Sequence, residues 1–488
     1  MRAFKWVFVC VLIAGCGGGG DSGDANTMGG NDDLSMVGGH DDLALENNPD
    51  LLVVPPGRYL CPLSLPQKVY GQAANAPETL AGDETWTPDN VYLVFGILST
   101  GGHTLTIQAG TRVCFDYETL PPAFGEPAPG ELDVELHGSL QVLGTAANHV
   151  VFTQKNDFHQ YYTGISFKTG FNANTTLQNL DVYNAGLSAG GPAIATFPST
   201  MEPALDLQNV TFHSIQKVGL KILTAGLTPA SRVLVSEYAD ETADLTNQYS
   251  VIEMDPVGAA TLSDTVFQVG DAVPAPVRHV AMHQFQITTS LTWHKLAIPY
   301  QFISSQKIAA GVGKPPAVLT LEAGTTVMVS SDHPTQVGDS VNNKGDLVAV
   351  GTMQDPIVFT SSELTPKAGD WNAIIFIPGS FDPKTTRFDH VRFEYGGGGG
   401  PNPIFSCQDM SSMTQGELEF DTPLVGGDFA GPSITNTTFT QSAGNGIRGY
   451  CNIGPTNCLA TDYTKPDLNN TFDGFTNDLP GQTPLGCP

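Results

Sequence analysis

The chain has 488 residues, 54 of them Gly and 35 Pro, and only 14% are charged. That many helix breakers exclude a helical bundle or coiled coil, while an apolar fraction of 40% excludes general disorder. The formal charge of −28 repels polyanions, so nucleic acid is excluded as a partner and cations, neutral glycans and proteins remain.

Arg2 and Lys5 form a basic start, Val7 to Ala14 is a short apolar run, and small residues precede Cys16. Eight apolar residues cannot cross a hydrocarbon core about 30 Å thick, so residues 1–15 read as a signal peptide. Ile13-Ala14-Gly15-Cys16 resembles the lipobox of bacterial lipoproteins. The resemblance implies cleavage before Cys16, lipidation of Cys16 and anchoring by more than one acyl chain. Gly17 follows the Cys, which favours the outer membrane or cell surface over inner-membrane retention. Residues 16–55 then read as a disordered Gly/Asp-rich tether: Gly17 to Gly20, followed by acids without one Lys or Arg as far as Asp50. Its Asp pairs leave calcium open as a cofactor, but their spacing fits no EF-hand loop.

The body repeats itself. Leu105-Thr-Ile-Gln-Ala-Gly-Thr-Arg-Val113 matches Leu319-Thr-Leu-Glu-Ala-Gly-Thr-Thr-Val327 at six of nine positions, 214 residues apart. Gly138-Ser-Leu-Gln-Val-Leu-Gly-Thr145 matches Gly345-Asp-Leu-Val-Ala-Val-Gly-Thr352, and Val151-Phe-Thr153 matches Val358-Phe-Thr360. The offset there is 207, which places seven extra residues of the first copy in the stretch Thr119 to Gly130. Trp86 and Trp293 precede the two copies.

Apolar alternation gives strands of three to five residues punctuated by Gly, Asn or Pro. A smaller motif recurs at Asn209-Val-Thr-Phe212, Asp264-Thr-Val-Phe267, Asn436-Thr-Thr-Phe439 and Asn469-Asn-Thr-Phe472. Asn or Asp suits a left-handed corner, and Phe a stack inside. Short strand, tight corner and short strand describe a solenoid whose coils bury their inner faces only by stacking. The alternatives are a β-propeller and a β-sandwich. Ala109-Gly-Thr111 with Gly144-Thr145 and Phe152-Thr153, and their counterparts from Ala323 to Thr360, resemble bacterial proteins of the pectin-lyase-like class. Gly369-Asp-Trp371 and the degenerate Tyr162 to Phe167 match the coil that follows. This resemblance implies an all-β fold, a right-handed parallel β-helix, over about Trp86 to Phe475. The first half is set at 56–285 with an N-terminal cap and the second at 286–488 with a Cys-containing C-terminal cap. Ala225 to Pro256 reads as the least coil-like stretch. The resemblance carries no activity of its own.

With Cys10 removed and Cys16 lipidated, Cys61, Cys114, Cys407, Cys451, Cys458 and Cys487 remain. An even number in an exported chain suggests up to three disulfides, with 15 connectivities open. The pairing expected is Cys61–Cys114, Cys451–Cys458 and Cys407–Cys487. No Cys-x-x-Cys pair argues for zinc.

Catalytic motifs are sparse. Gly186-Leu-Ser188-Ala-Gly190 fits G-x-S-x-G but lacks the helix that a nucleophile elbow needs, and reads as a Gly-rich corner. His279-Val-Ala-Met-His283 lacks the Glu of H-E-x-x-H, and on a strand its imidazoles would stand about 13 Å apart. The strip Arg387-Phe-Asp389-His390-Val-Arg392-Phe-Glu394 is the best catalytic candidate, through Asp389, His390 and Arg392, with a corner near Asp389. Its bland counterpart is ordinary solvated charge on a coil. Asn445 to Gly449 reads as another corner.

The function expected is therefore a surface-tethered, non-enzymatic β-helix lipoprotein, held to the membrane by its lipid and binding glycan, envelope or protein partners. The alternative is an extracellular polysaccharide lyase or glycoside hydrolase, and a purely structural envelope role is a third reading. Convergence of at least three Asp, Glu, Arg, His or Lys side chains in a groove on one outer sheet would favour the enzyme.

Overall fold

The computed structural model describes residues 61, 64–71, 78–116, 130–155, 162–186, 191–196, 203–223, 225–238, 249–283, 286–330, 335–377, 379–398, 416–420, 430–451, 461–474 and 482–486. Residues 1–55, with Cys16 and the tether, lie outside this set, as do Ser188, Cys407, Cys458, Cys487 and the side chain of Cys451.

Alternation along each strand decides which face turns inward. In Thr104–Gln108, Leu105 and Ile107 are fully buried while Thr104, Thr106 and Gln108 face out. Ala317–Leu321 repeats the pattern. Such a strand cannot bury its apolar face alone, so it stacks in parallel on the next coil: Leu105 pairs with Leu140 and Ile107 with Val142, as Leu319 pairs with Leu347 and Leu321 with Ala349. Four sheets of 14, 11, seven and five strands result. Their inner faces merge into one apolar core from Leu80 to Tyr463. At about 1.5–3 kcal/mol for each buried Leu, Ile, Val or Phe, stacking is the main source of stability. The body is a parallel β-helix.

Corners are made by two devices. At Ala109-Gly-Thr111, Gly110 takes φ +79° and the Thr111 amide donates to Gln108 O at 3.2 Å. Ala323-Gly-Thr325 does the same, with Gly324 at φ +84° and a 3.1 Å bond from the Thr325 amide to Glu322 O. Elsewhere Asn supplies the left-handed residue: Asn179, Asn209, Asn436 and Asn469 have φ between 47° and 61°. Their amides form ladders from coil to coil. Asn209 Nδ2 donates to Asn179 Oδ1 at 2.9 Å, and Asn179 Nδ2 to Gly144 O at 2.9 Å. In the second half Asn469 Nδ2 donates to Asn436 Oδ1 at 2.9 Å, and Asn436 Nδ2 to Asp389 Oδ1 at 2.7 Å.

The repeated motifs do not fall on the same faces. Arg112–Asp116 belongs to the 11-stranded sheet, whereas its repeat partner Thr326–Val329 belongs to the 14-stranded one. Ser139–Leu143 lies in the 11-stranded sheet and its partner Gly345–Val350 in the five-stranded one. The 14-stranded sheet nevertheless runs unbroken through both halves, from Glu78–Thr79 to Thr471–Asp473. The second copy is thus advanced by one strand, a third of a coil.

Three expectations need correction. The stretch Ala225 to Pro256 is coil-like where it is described: Val233–Glu237 and Ile252–Met254 carry inward apolar residues and continue the 11- and 14-stranded ladders. Asn445–Cys451 is not a corner but a seven-residue strand. Gly446 there lets the backbone approach Phe439 and Phe472, where a Cβ would stand 2.9 Å from either ring. Asp264 is not left-handed; its Oδ1 instead accepts from the Ala297 amide at 2.8 Å.

Candidate functional site

Asp389 and His390 mark the corner between strands Arg387–Asp389 and Val391–Glu394. His390 takes the left-handed conformation at φ 51°, and its Nδ1 lies 3.1 Å from Asp389 Oδ1. That same oxygen accepts from Thr435 Oγ1 at 3.0 Å and Asn436 Nδ2 at 2.7 Å. Burial alone would push the Asp389 pKa up. The bonds from Asn436 and Thr435 and the nearby imidazole outweigh it, leaving the carboxyl below its ordinary value. Asp389 is therefore the acceptor that heads an Asn ladder. Arg392 points outward and pairs with Glu394, while Val391 before them and Phe393 between them turn into the core. The strip is brought together as corner and ion pair.

The two histidines flanking strand Val280–Met282 are separated by environment. His279 is buried, and burial lowers its pKa to about 4; His283 is exposed beside Lys221, Glu253 and Asp255. Among the described residues no group of three or more His, Cys, Asp or Glu side chains is placed to hold a metal ion. Cys61 and Cys114 are joined by a disulfide with a Cα–Cα distance of 6.0 Å, and cover Val91 and Leu93 on the outer side of the first coils.

A charged site that the sequence does not announce lies on the outer face of the 14-stranded sheet. Leu132 and Val134 turn into the core, so Glu131 and Asp133 between and beside them face out. Lys168, one residue past strand Gly164–Phe167, reaches back over them. Its Nζ lies 3.0 Å from Asp133 Oδ1 and 3.7 Å from Glu131 Oε1, and donates to Ser166 Oγ at 3.1 Å. The Asp133 side chain is only 7% exposed. Burial, reinforced by the Glu131 charge and opposed by Lys168, pushes its carboxyl up to about 7. In register the outward row continues from Asp133 through Ser166 and Ala195 to Lys221, which pairs with Glu253 at 2.7 Å. Half-buried Ala195 and Ser166, itself buried beneath Lys168, thus form a low floor between two ion-paired ends, about 14 Å apart for three steps of sheet spacing. Glu131 and Asp133 lie 37 and 35 residues before Lys168, too far apart for any local motif; only the coil length brings them together.

Residues 286–398 match the family model of a pectate-lyase-like beta helix domain. No curated protein and no solved structure matches the chain. The matched segment covers the second repeat copy and the Asp389 corner, while the Asp133 site lies in the first half.

Proposed function

We propose that this chain is a lipid-anchored β-helix of the bacterial outer membrane or cell surface that binds neutral glycan along the outer face of its 14-stranded sheet. The carrying observation is the floor at half-buried Ala195, with Ser166 buried beside it, between Asp133–Lys168 and Lys221–Glu253. Its strands repeat at about 4.7–4.9 Å, close to the length of one sugar ring, and its ends offer paired donors and acceptors. The net charge of −28 favours neutral over uronate-rich chains. Replacing Ala195 with Phe should block the floor. Retention on immobilised neutral glycans should fall at least tenfold and be insensitive to moderate salt; undiminished retention of Ala195→Phe would rule this face out.

The second reading is cleavage of the bound glycan. Glu131, Asp133 and Lys168 come together on one outer sheet, and a carboxyl with a pKa near 7 beside an amine is suited to proton transfer at neutral pH. New reducing ends or unsaturated products that vanish in Asp133→Asn, with binding retained, would establish it. Their absence across neutral and uronate chains, with and without calcium, would leave binding as the function.

A further inference from the structure

The 11-stranded sheet carries an outward line of polar side chains that the glycan-binding face does not use. Asp181 faces out of strand Thr176–Tyr183, between inward Leu180 and Val182. On one side His149, just before strand Val150–Gln154, places Nδ1 2.9 Å from Asp181 Oδ2. On the other, His213 closes strand Asp206–His213 and places Nε2 3.9 Å from Asp181 Oδ1. The His213 ring stacks on Tyr183, with centroids 4.3 Å apart and planes at 8°, so its orientation is fixed. Its Nδ1 then lies 3.0 Å from Ser236 Oγ. Ser236 stands where strand Val233–Glu237 slips register against Phe267–Ala272, between Val235 and Glu237. Irregularities of this kind re-aim a side chain and are frequent beside active sites. Gly270 opposite permits the close approach, since a Cβ there would lie 2.5 Å from Ser236 O. His149, Asp181 and His213 are recessed but reachable, at 13–17% exposed.

We propose that Ser236 is a nucleophile, His213 its general base and Asp181 a positioning residue held by His149, together hydrolysing small carboxylic esters. A proton on His213 Nε2 faces the carboxylate, and that tautomer leaves the Nδ1 lone pair to Ser236. At rest the hydroxyl donates to Phe212 O at 2.9 Å, so only the hydrogen has to turn toward His213. Ser236 Oγ then bonds to the acyl carbon as Nδ1 takes its proton. The alkoxy bond breaks, and His213 returns the proton to the departing alcohol. Water adds to the acyl-serine by the same route in reverse, releasing the acid and restoring the hydroxyl. A carboxylate 3.9 Å from the imidazole gives modest activation, which suits esters rather than amides. Such constellations are recognised by geometry and not by chain order. The proposal does not depend on glycan binding, which uses another sheet.

The test uses the full chain with a fluorophosphonate probe and with p-nitrophenyl acetate. A single adduct should map to Ser236. Ester turnover should fall roughly 100-fold or more in Ser236→Ala and His213→Gln, and about tenfold or more in Asp181→Asn. Adduct formation should slow in Asp181→Asn while its thermal unfolding stays near that of the parent, a combination that a purely structural Asp181 would not give. An unlabelled Ser236 in protein that keeps its native hydrogen-exchange protection overturns the proposal. So does a Ser236→Ala variant that turns over ester as fast as the parent.

Discussion

The two repeat copies share sequence and differ in which sheet receives it. Phe152 and Phe359 are equivalent by repeat, yet Phe152 packs inside the 11-stranded sheet and Phe359 inside the 14-stranded one. Phe359 begins a column of parallel rings, Phe359, Phe393, Phe439 and Phe472, with centroids 5.0–5.1 Å apart. Phe152 instead meets Phe115 at 5.6 Å and a tilt of 60°, and Phe115 stacks on Tyr162 at 4.2 Å. A motif of strand, glycine or asparagine corner and strand therefore encodes a local bend and an inward residue. It does not encode the face. Any face of a coil satisfies it, because each offers the same stacked apolar interior.

The sharpest way to break the comparison is to remove the rings. Phe152→Ala and Phe359→Ala should each cost about 3–5 kcal/mol, from lost transfer energy and an unfilled cavity. Hydrogen exchange should report loss of protection around Phe393 and Phe439 first in Phe359→Ala, and around Val182 and Phe212 first in Phe152→Ala. Uniform loss across both halves in either variant would mean that the coils do not act as neighbours.

Next in size is the disulfide, present only at the start of the first half among the described residues. Reducing Cys61–Cys114, which closes a loop with a sequence separation of 53, should cost about 2–4 kcal/mol. The exchange should open strands from Gln67–Tyr70 to Arg112–Asp116 and leave the second half untouched. Smaller again are the Asn ladders. Asn209→Ala and Asn436→Ala lose a ladder bond and force Ala to positive φ, for about 1–3 kcal/mol each by denaturant unfolding. Asn436→Gly should cost less, since Gly accepts that backbone.

The last effect is electrostatic and is read against pH. Asp133 holds its proton up to about 7 in the folded chain and only to about 4 when unfolded. The folded state binds more protons between those values, so this group's contribution falls as pH rises from about 4 to 7. Asp133→Asn should flatten that part of the stability profile, read as melting temperature against pH. An unchanged slope would show that Lys168 keeps the pair ionised.

Much of this was legible in the chain. Leu105-x-Ile107 and Leu319-x-Leu321 announce inward faces, Ala-Gly-Thr announces a corner, and Asn before Thr-Phe announces a left-handed turn with a stacked ring. Asp264 misled because its carboxylate found a backbone amide elsewhere, and Asn445 to Gly449 because Gly446 serves close packing rather than a turn. The charged sites were illegible for a different reason. Asp133 meets Lys168, and Asp181 meets His149 and His213, only across coils of about thirty residues whose lengths vary with their loops. Spacings of 35 residues from Asp133 to Lys168, and of 32 from His149 to Asp181 and again to His213, match no local motif and gain meaning only once the coils are stacked. Asp389-His390 carries both readings at once, because a ladder head and an acid–base pair use the same residue types.

The disulfide has a mechanical meaning. Force applied to the chain ahead of Cys61 would otherwise peel strands away one hydrogen bond at a time, starting with Gln67–Tyr70. With Cys61 bonded to Cys114, the load passes through sulfur directly into strand Arg112–Asp116, and residues 62–113 carry no tension. Six strands, from Gln67–Tyr70 to Thr104–Gln108, are bypassed. Rupture must then begin within the stack, at a strand paired on both sides with Val91–Phe95 and Val150–Gln154, rather than at its first strand. A body built this way can be held by its leading end under shear without unravelling from it.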